Sequence, residues 1–402
     1  MRISTTWIYT RGSDAISRKM SELSRTQEQI STNKRVLAPS DDPIAAASAL
    51  TTEQARSLTE QYARNQGFAQ GTLELAEATL SQVGEALQDV RTLAVAAGNG
   101  ALSAEDRRSL AIELRGKLDS LLGLANTRDG AGGYLFSGYQ DGVQPFASSA
   151  SGVAYQGDQG NRALQVGTNR QIAVSASGND VFEGAHAGNG SFTVSAAAGN
   201  TGEAISDAGR VISPAGMTGD SYRIRFHVSA GVTTYDVINT TTSATLTSGA
   251  AYQPGASINV DGAQVTITGS PVGNDTFDIA PSTRQSAFKT ITDLAAALES
   301  NADGSLSEAA FRTALTQGMA GIDQAHDHVL SVRTGFGARL RELDSLSALT
   351  QDQSLYYQRE LSRLTDLDLA EAVSRLTLQQ VTLQAAQQSY LKTVGLSLFN
   401  YL

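Results

Sequence analysis

The stretch Asp366–Leu402, DLDLAEAVSRLTLQQVTLQAAQQSYLKTVGLSLFNYL, decides how the rest of the chain is read. Leu369, Val373, Leu376, Gln380, Leu383, Gln387, Tyr390, Val394 and Leu398 recur at steps of four and three, with a last step of four. On a helix that spacing draws one stripe, the seam of a coiled coil. No proline interrupts it, and Gly395 is its one glycine. An apolar helix at a chain end must bury its seam or stay unfolded. A partner stands at the other end of the sequence, where Ile16, Met20, Leu23, Gln27 and Ile30 are spaced four, three, four and three. The spacing predicts that the two ends meet each other and then meet other copies of the chain. Closure of both stripes within one chain is the competing reading. Gln380 and Gln387 are candidates for setting register between chains. Residues 1–35 and 365–402 are expected to lack stable structure in the isolated chain.

Inward from the N-terminal stripe, LAPSDDPIAAASAL forms a turn into a second helix. Asp42 is a natural N-cap, Pro43 suits the first helical position, and Asp41 favours the positive end of the helix dipole. The pattern from Pro43 stays helical until Gly98-Asn99-Gly100, with a seam of Leu73, Ala76, Leu80, Val83, Leu87, Val90 and Ala94. Ser103 to Asp106 reads as a capping box opening a third helix that ends near Asn126. Gly130, Gly132 and Gly133 then make a turn, and Tyr134, Leu135 and Phe136 read as a short strand that belongs to the core.

Residues 141–281 change character, becoming rich in Gly, Ser, Thr, Ala and Val and containing no lysine. Tyr222, Ile224, Phe226 and Val228 alternate with polar residues, as a strand with one buried face does. Asp261-Gly262, between Ile258/Val260 and Val265/Ile267, is a hairpin turn signal. From Ser282 the helical pattern returns, with Phe288, Ile291, Leu294 and Leu298 on one face and Phe311, Leu315, Ile322 and Val329 on another. After Gly335-Phe336-Gly337 a further helix is expected to run, with interruptions, to the end. The fold class is therefore α+β: a discontinuous long-helix rod from both chain ends with an inserted all-β domain. Residues 1–40 and 365–402 form the terminal coiled coil, and 41–140 and 282–364 the two halves of the rod. Residues 141–281 form the insert, with a break near 184–190.

Bulk properties narrow the function. A 402-residue chain implies more than one core. A net charge of −10 argues against a nucleic-acid partner. The absence of cysteine removes disulfides and thiolate metal sites. The opening MRISTTWIYTRGSDAISRKM lacks the apolar run of a signal peptide, and no stretch is apolar enough to span a bilayer. The expectation is a cytosolic chain, or one exported by a route that reads no cleavable signal. His326 and His328 lie two apart on a helix and face different ways, which disfavours a metal site. The loop NADGSLSE has Asn301, Asp303 and Gly304 of a calcium loop. It puts Ala310 where a bidentate glutamate is required. No phosphate cradle, dinucleotide fingerprint or nucleophile elbow occurs. Asp41-Asp42 reads as a cap rather than an acid–base pair. No catalytic residue, cofactor or metal is expected.

At this point the residues resemble a known family. MRIST at the start, SDDP at Ser40, Asp41, Asp42 and Pro43, and LQDVRTLAVAAGNG at Leu87–Gly100 are similar to the flagellin superfamily of the bacterial flagellum. GYLFSG, at Gly133, Tyr134, Leu135, Phe136, Ser137 and Gly138, resembles the hook–filament junction branch more than filament flagellin. YQGDQGNR at Tyr155–Arg162 and PGASINVDGAQVTITGSPVGNDTFDI at Pro254–Ile279 resemble hook-associated β domains, with Asn274 where Gly-Asp is commoner. The resemblance implies a structural protein, exported unfolded by the flagellar type III apparatus and assembled as a ring between hook and filament. Its implied partners are copies of itself, hook-associated protein 1, filament flagellin and an export chaperone. Ile16, Met20, Leu23, Ile30, Leu369, Val373, Leu376, Leu383, Tyr390, Val394 and Leu398 are the candidate assembly residues. Filament flagellin is the alternative within the family, disfavoured by GYLFSG, by the FNYL ending and by MRIST. A secreted adhesin or binding protein on a helical stalk is the alternative outside it.

Overall fold

The computed structural model describes residues 5–130, 132–149 and 152–398. The chain forms two compact units: Met1–Arg64 with Ser345–Leu402, and Asn65–Asp344. Among the described residues the helices are α1 (Thr5–Thr32), α2 (Pro43–Ala97), α3 (Ala104–Ala125), α4 (Gly178–Glu183), α5 (Ala287–Ala302), α6 (Glu308–Thr365) and α7 (Leu369–Leu398). Among the described residues every strand lies between Phe146 and Pro281, so the long helices come from both ends of the sequence and the strands, with the short α4, form an insert.

The 55 residues of α2 begin at Pro43, and Asp42 Oδ1 caps them by accepting from the Ala45 N–H at 3.0 Å. Within the larger unit, the α2 row Leu73, Ala76, Leu80, Val83, Leu87, Val90 and Ala94 is buried throughout. Ser103 and Asp106 form the reciprocal capping box of α3. That helix packs on α5, where Arg115 grips Glu299 through two hydrogen bonds of 2.7 and 2.8 Å. Arg333 of α6 reaches Glu77 of α2 at 2.6 Å, and Arg91 of α2 reaches Asp323 of α6 at the same distance.

Two expectations from the sequence are corrected here. The 58-residue helix α6 does not start after Gly337; it runs straight through Gly335-Phe336-Gly337. Each glycine weakens an isolated helix by about 1 kcal/mol. Phe336, however, belongs to the buried row Ile322, Val329, Phe336, Leu343, and that burial outweighs the cost. The interruption comes at residues 366–368 instead. Second, Tyr134, Leu135 and Phe136 form no strand. They sit in a series of turns, with an isolated bridge between Arg128 and Tyr134 and backbone bonds to Thr127, Asp141 and Gly178.

The insert opens with two antiparallel hairpins, β1 (Phe146–Ser149) with β2 (Gly152–Tyr155) and β3 (Ala163–Gly167) with β4 (Arg170–Ala173). The strands that follow α4 build two sheets. One has the order β10 (Thr245–Ala251), β9 (Val232–Asn239), β8 (Tyr222–Ser229), β13 (Thr276–Pro281), β5 (Phe192–Ala196). The other joins β11 (Ser257–Val260) to β12 (Ala263–Thr268), which also pairs with β6 (Ile205–Ser206) and β7 (Arg210–Val211). Phe192, Ile224, Phe226, Val265, Ile267 and Phe277 are buried together in their common core. Tyr222, Ile224 and Phe226 alternate inward as expected, whereas Val228 at the end of β8 is 45% exposed. Asp261 and Gly262 turn β11 into β12 with φ of 39° and 82°, the left-handed pair that a tight hairpin requires. The chain enters and leaves these sheets at one place: Ser282 N–H donates to Ser191 O at 3.0 Å, beside a bridge between His186 and Arg284.

Candidate assembly interface

In the smaller unit α1 packs against α7, and the two run antiparallel. Gly12 lies against the Tyr390 ring at one end, so close that a Cβ there would be 2.6 Å from the ring. Lys34 bridges Asp366 at the other end. The covered face of α1 carries Gly12, Ile16, Leu23, Thr26 and Ile30; that of α7 carries Ala372, Leu376, Leu383, Ala386 and Tyr390. Ala372 and Thr26 are fully enclosed, and the others are half-buried.

The stripe read from the sequence therefore divides. Ile16, Leu23, Ile30, Leu376, Leu383 and Tyr390 lie on the covered faces. Met20, Leu369 and Val373 stand on the uncovered side at 55%, 52% and 47% exposure, and Gln27, Gln380 and Gln387 are exposed with them. The side chains of Val394 and Leu398 lie outside the described residues, as do MRIS and FNYL. Steps of four and three fit two neighbouring grooves of one helix, and from Val373 onward the stripe of α7 alternates between them. A second row lies outside that stripe. Leu378, Val381, Ala385 and Gln388 step by three, four and three along the opposite side of α7, with Leu378 65% and Val381 58% exposed.

The base of the helix pair is a knot of backbone bonds. Asn33 ends α1 in the left-handed region at φ 55°, and Lys34 N–H returns to Gln29 O at 3.1 Å, the bond pattern of a helix C-cap. Arg35 N–H donates to Thr365 O at 2.8 Å, and Leu367 N–H to Asn33 O at 3.2 Å. The Arg35 guanidinium spans the Leu364 carbonyl at 2.8 Å and Asp42 Oδ2 at 3.1 Å. Asp41 accepts from the Leu37 and Ala38 N–H groups and pairs with Arg25 at 2.6 Å. The Ala38 N–H above all holds the Asp41 carboxyl below its ordinary range, and the Ala45 N–H does the same for Asp42. Ser40 beside them is exposed, so SDDP serves to end one helix and begin the next. Arg25 and Arg35 were not singled out in the sequence, because nothing local reveals which carboxylate a distant arginine will reach.

GYLFSG lies in the larger unit. Leu135, Phe136 and Ser137 are buried, and Phe136 meets Phe182 edge to face with ring centroids 5.5 Å apart. Gly138 takes φ 79° with Asp158 so near that a Cβ would fall 2.2 Å from its carboxyl oxygen. Gly133 closes its turn on Asp129 through both backbone groups. Tyr134 is half-exposed under the Arg128 guanidinium.

The two histidines of α6 have structural partners. His326 Nε2 is 3.1 Å from Gln88 Nε2, and His328 Nε2 is 2.6 Å from Asp180 O. Gly304 at φ 75° and the bond from Ser305 N–H to Ser300 O cap α5. Among the described residues no three His, Asp or Glu side chains converge as a metal site. No described helix is long and apolar enough to cross a membrane.

Comparison with known proteins places this architecture. The model of the bacterial flagellin N-terminal helical region matches residues 3–141, and that of the C-terminal helical region matches 319–402. The chain is 28% identical over 400 residues to flagellar hook-associated protein 3 of Salmonella typhimurium, covering 99% of each. The crystal structure of flagellar hook-associated protein-3 from Legionella pneumophila superposes with a TM-score of 0.75 at 32% identity. It covers 78% of this chain and 98% of that one. FlgL of Xanthomonas campestris gives 0.71 at 31%, covering 77% and 99%. The chain belongs to the flagellin superfamily, in its hook-associated protein 3 branch.

Proposed function

We propose that this chain is a structural subunit of the bacterial flagellum that assembles with its own copies into the junction between hook and filament. The uncovered apolar row on α7 carries the reading: Leu378 and Val381 face solvent on a helix whose opposite side is already occupied. Exposed apolar rows of this kind mark surfaces that another protein covers. In this reading residues 1–40 and 365–402 are the assembly segments, 41–140 and 282–364 the helical body, and 141–281 an outward insert. Ile16, Leu23, Ile30, Leu376, Leu383 and Tyr390 hold the helix pair. Met20, Leu369 and Val373 are left for neighbouring copies, and Val394 and Leu398 belong to the same assembly segment. The adjoining partners are hook-associated protein 1 on one side and filament flagellin on the other. An export chaperone keeps the C-terminal segment soluble before type III export to the cell exterior. No catalytic step is part of the role.

The test is a strain lacking the gene for this chain. It is expected to build hooks, to shed flagellin monomers into the medium and not to swim, with recovery on complementation. A deletion strain that still grows filaments and swims would refute the junction role. Normal swimming with lost surface binding would favour a displayed binding protein instead.

A further inference from the structure

The sequence contains Asn99-Gly100 and Asn189-Gly190, the pairing most open to loss of the side-chain amide because glycine leaves the following nitrogen unshielded. We propose that Asn99, in the turn between α2 and α3, is a site of spontaneous conversion to aspartate and isoaspartate in the folded protein, and that Asn189 is not.

Both asparagines share one feature. Asn99 Oδ1 accepts from the Ala101 N–H at 3.1 Å, and Asn189 Oδ1 from the Ser191 N–H at 3.0 Å. This bond closes a small ring that contains both the side-chain carbonyl carbon and the glycine nitrogen, the two atoms that must join. It also points a donor at the oxygen where negative charge develops.

The nucleophile and the leaving group separate them. Gly190 N–H is engaged with Ala187 O at 3.2 Å. The Asn189 amino group donates to Ala208 O at 3.2 Å and Gly209 O at 3.0 Å. Neither the proton nor the amino group is free to leave. At the other site, among the described residues, Gly100 N–H and the Asn99 amino group donate to nothing, and Asn99, Gly100 and Ala101 are all exposed. Arg312 adds a cation: a Cβ on Gly100 would lie 3.0 Å from its Nη2. A guanidinium there favours the deprotonated amide and the anionic intermediate.

The steps balance. Hydroxide removes the Gly100 amide proton, and the nitrogen bonds to Asn99 Cγ. The oxyanion on Oδ1 collapses, the bond to the side-chain nitrogen breaks, and ammonia leaves after gaining a proton from water. A succinimide remains, and water opens it at either carbonyl. The net change is uptake of water and loss of ammonia. The product carries a new carboxylate beside Arg312, which now pairs with Glu308 at 2.8 Å.

The experiment incubates the full chain at mildly alkaline pH, folded and in denaturant, and scores both asparagines by peptide mass spectrometry and isoaspartate detection. In the folded chain Asn99 is expected to convert at least about tenfold faster than Asn189, and in denaturant at a comparable rate. Equal folded rates, or one ratio in both conditions, would overturn the proposal. Arg312→Gln removes the cation from an exposed ion pair, and Ala101→Pro removes the clamping N–H. Each is expected to slow Asn99 severalfold without moving Asn189. A thermal-unfolding scan checks that each variant folds. Unchanged Asn99 rates in both folded variants would likewise overturn it.

Discussion

Cutting Leu378 and Val381 of α7 back to alanine together should leave the isolated chain unchanged and cripple its assembly. The two side chains are 65% and 58% exposed, so they add little to the packing of α1 on α7. Covering them in an assembly would recover about 0.8 kcal/mol per methylene-sized group buried. Scaled by the fraction still exposed, the pair of truncations forfeits about 2.5 kcal/mol per subunit contact. That corresponds to roughly sixtyfold in an association constant. The assay is competition. Tagged wild-type and double-variant chains are produced at equal levels in one cell, hook–filament junctions are isolated, and the ratio of tags is measured. The variant is expected to be depleted by a factor between about ten and one hundred. Its thermal unfolding as a monomer should match the wild type within about 1 °C. Equal incorporation would refute the reasoning, because a row that another subunit covers cannot be trimmed without cost. A large loss of monomer stability would refute it differently, by showing that the row is already buried.

Phe136→Ala empties a fully enclosed site among Phe182 and its neighbours and should cost about 3–5 kcal/mol. Calorimetry should show a fall in the unfolding temperature of the larger unit of about 6–10 °C, and a fall under about 2 °C would place the ring outside the core. Asn33→Ala keeps a Cβ in the left-handed position but removes the short amide that lets asparagine tolerate it, and should destabilise by about 1 kcal/mol, whereas Asn33→Gly, which removes the Cβ, should be close to neutral; equal effects in denaturant melts would disprove strain at φ 55°. Asp41 and Asp42 both titrate below their ordinary value, so their contribution is complete above the unfolded carboxylate pKa of about 3.9 and is lost as pH falls through the lower folded values. Amide exchange at residues 33–46 should therefore quicken as pH drops below about 4, relative to the larger unit, and Asp42→Asn should remove part of that dependence. In a dilute monomer, limited proteolysis should cut α1 and α7 before any site in the larger unit, because one half-covered seam holds them; full protection of both would contradict this.

The sequence announced its helices where punctuation was strong. Asp42-Pro43 and Gly98-Asn99-Gly100 bound α2 to within a residue, since a cap, a ring without an N–H and two glycines act locally. Asp261-Gly262 fixed its hairpin for the same reason. Local signals misled where burial decides. Gly335 and Gly337 looked like a break because their weakness is local, while the burial of Phe336 comes from elsewhere in the chain. Tyr134, Leu135 and Phe136 looked like a strand because an apolar run has no period to distinguish a strand from a packed turn. For the terminal helices the existence of a seam was legible and its face was not. Apolar residues occur on most sides of α7, and only the position of α1 shows which groove is filled.

The single neck at Ser191 and Ser282 has an evolutionary consequence. Because the two sheets of the insert are attached through backbones that already touch, nearly everything between those residues could be replaced by a tight turn without pulling the helical body apart. The entropy of closing a loop changes slowly with its length, so a longer, shorter or unrelated insert would also be tolerated. Such a neck works as a socket. In the proposed junction role it lets the insert diverge rapidly while the helices keep one assembly geometry.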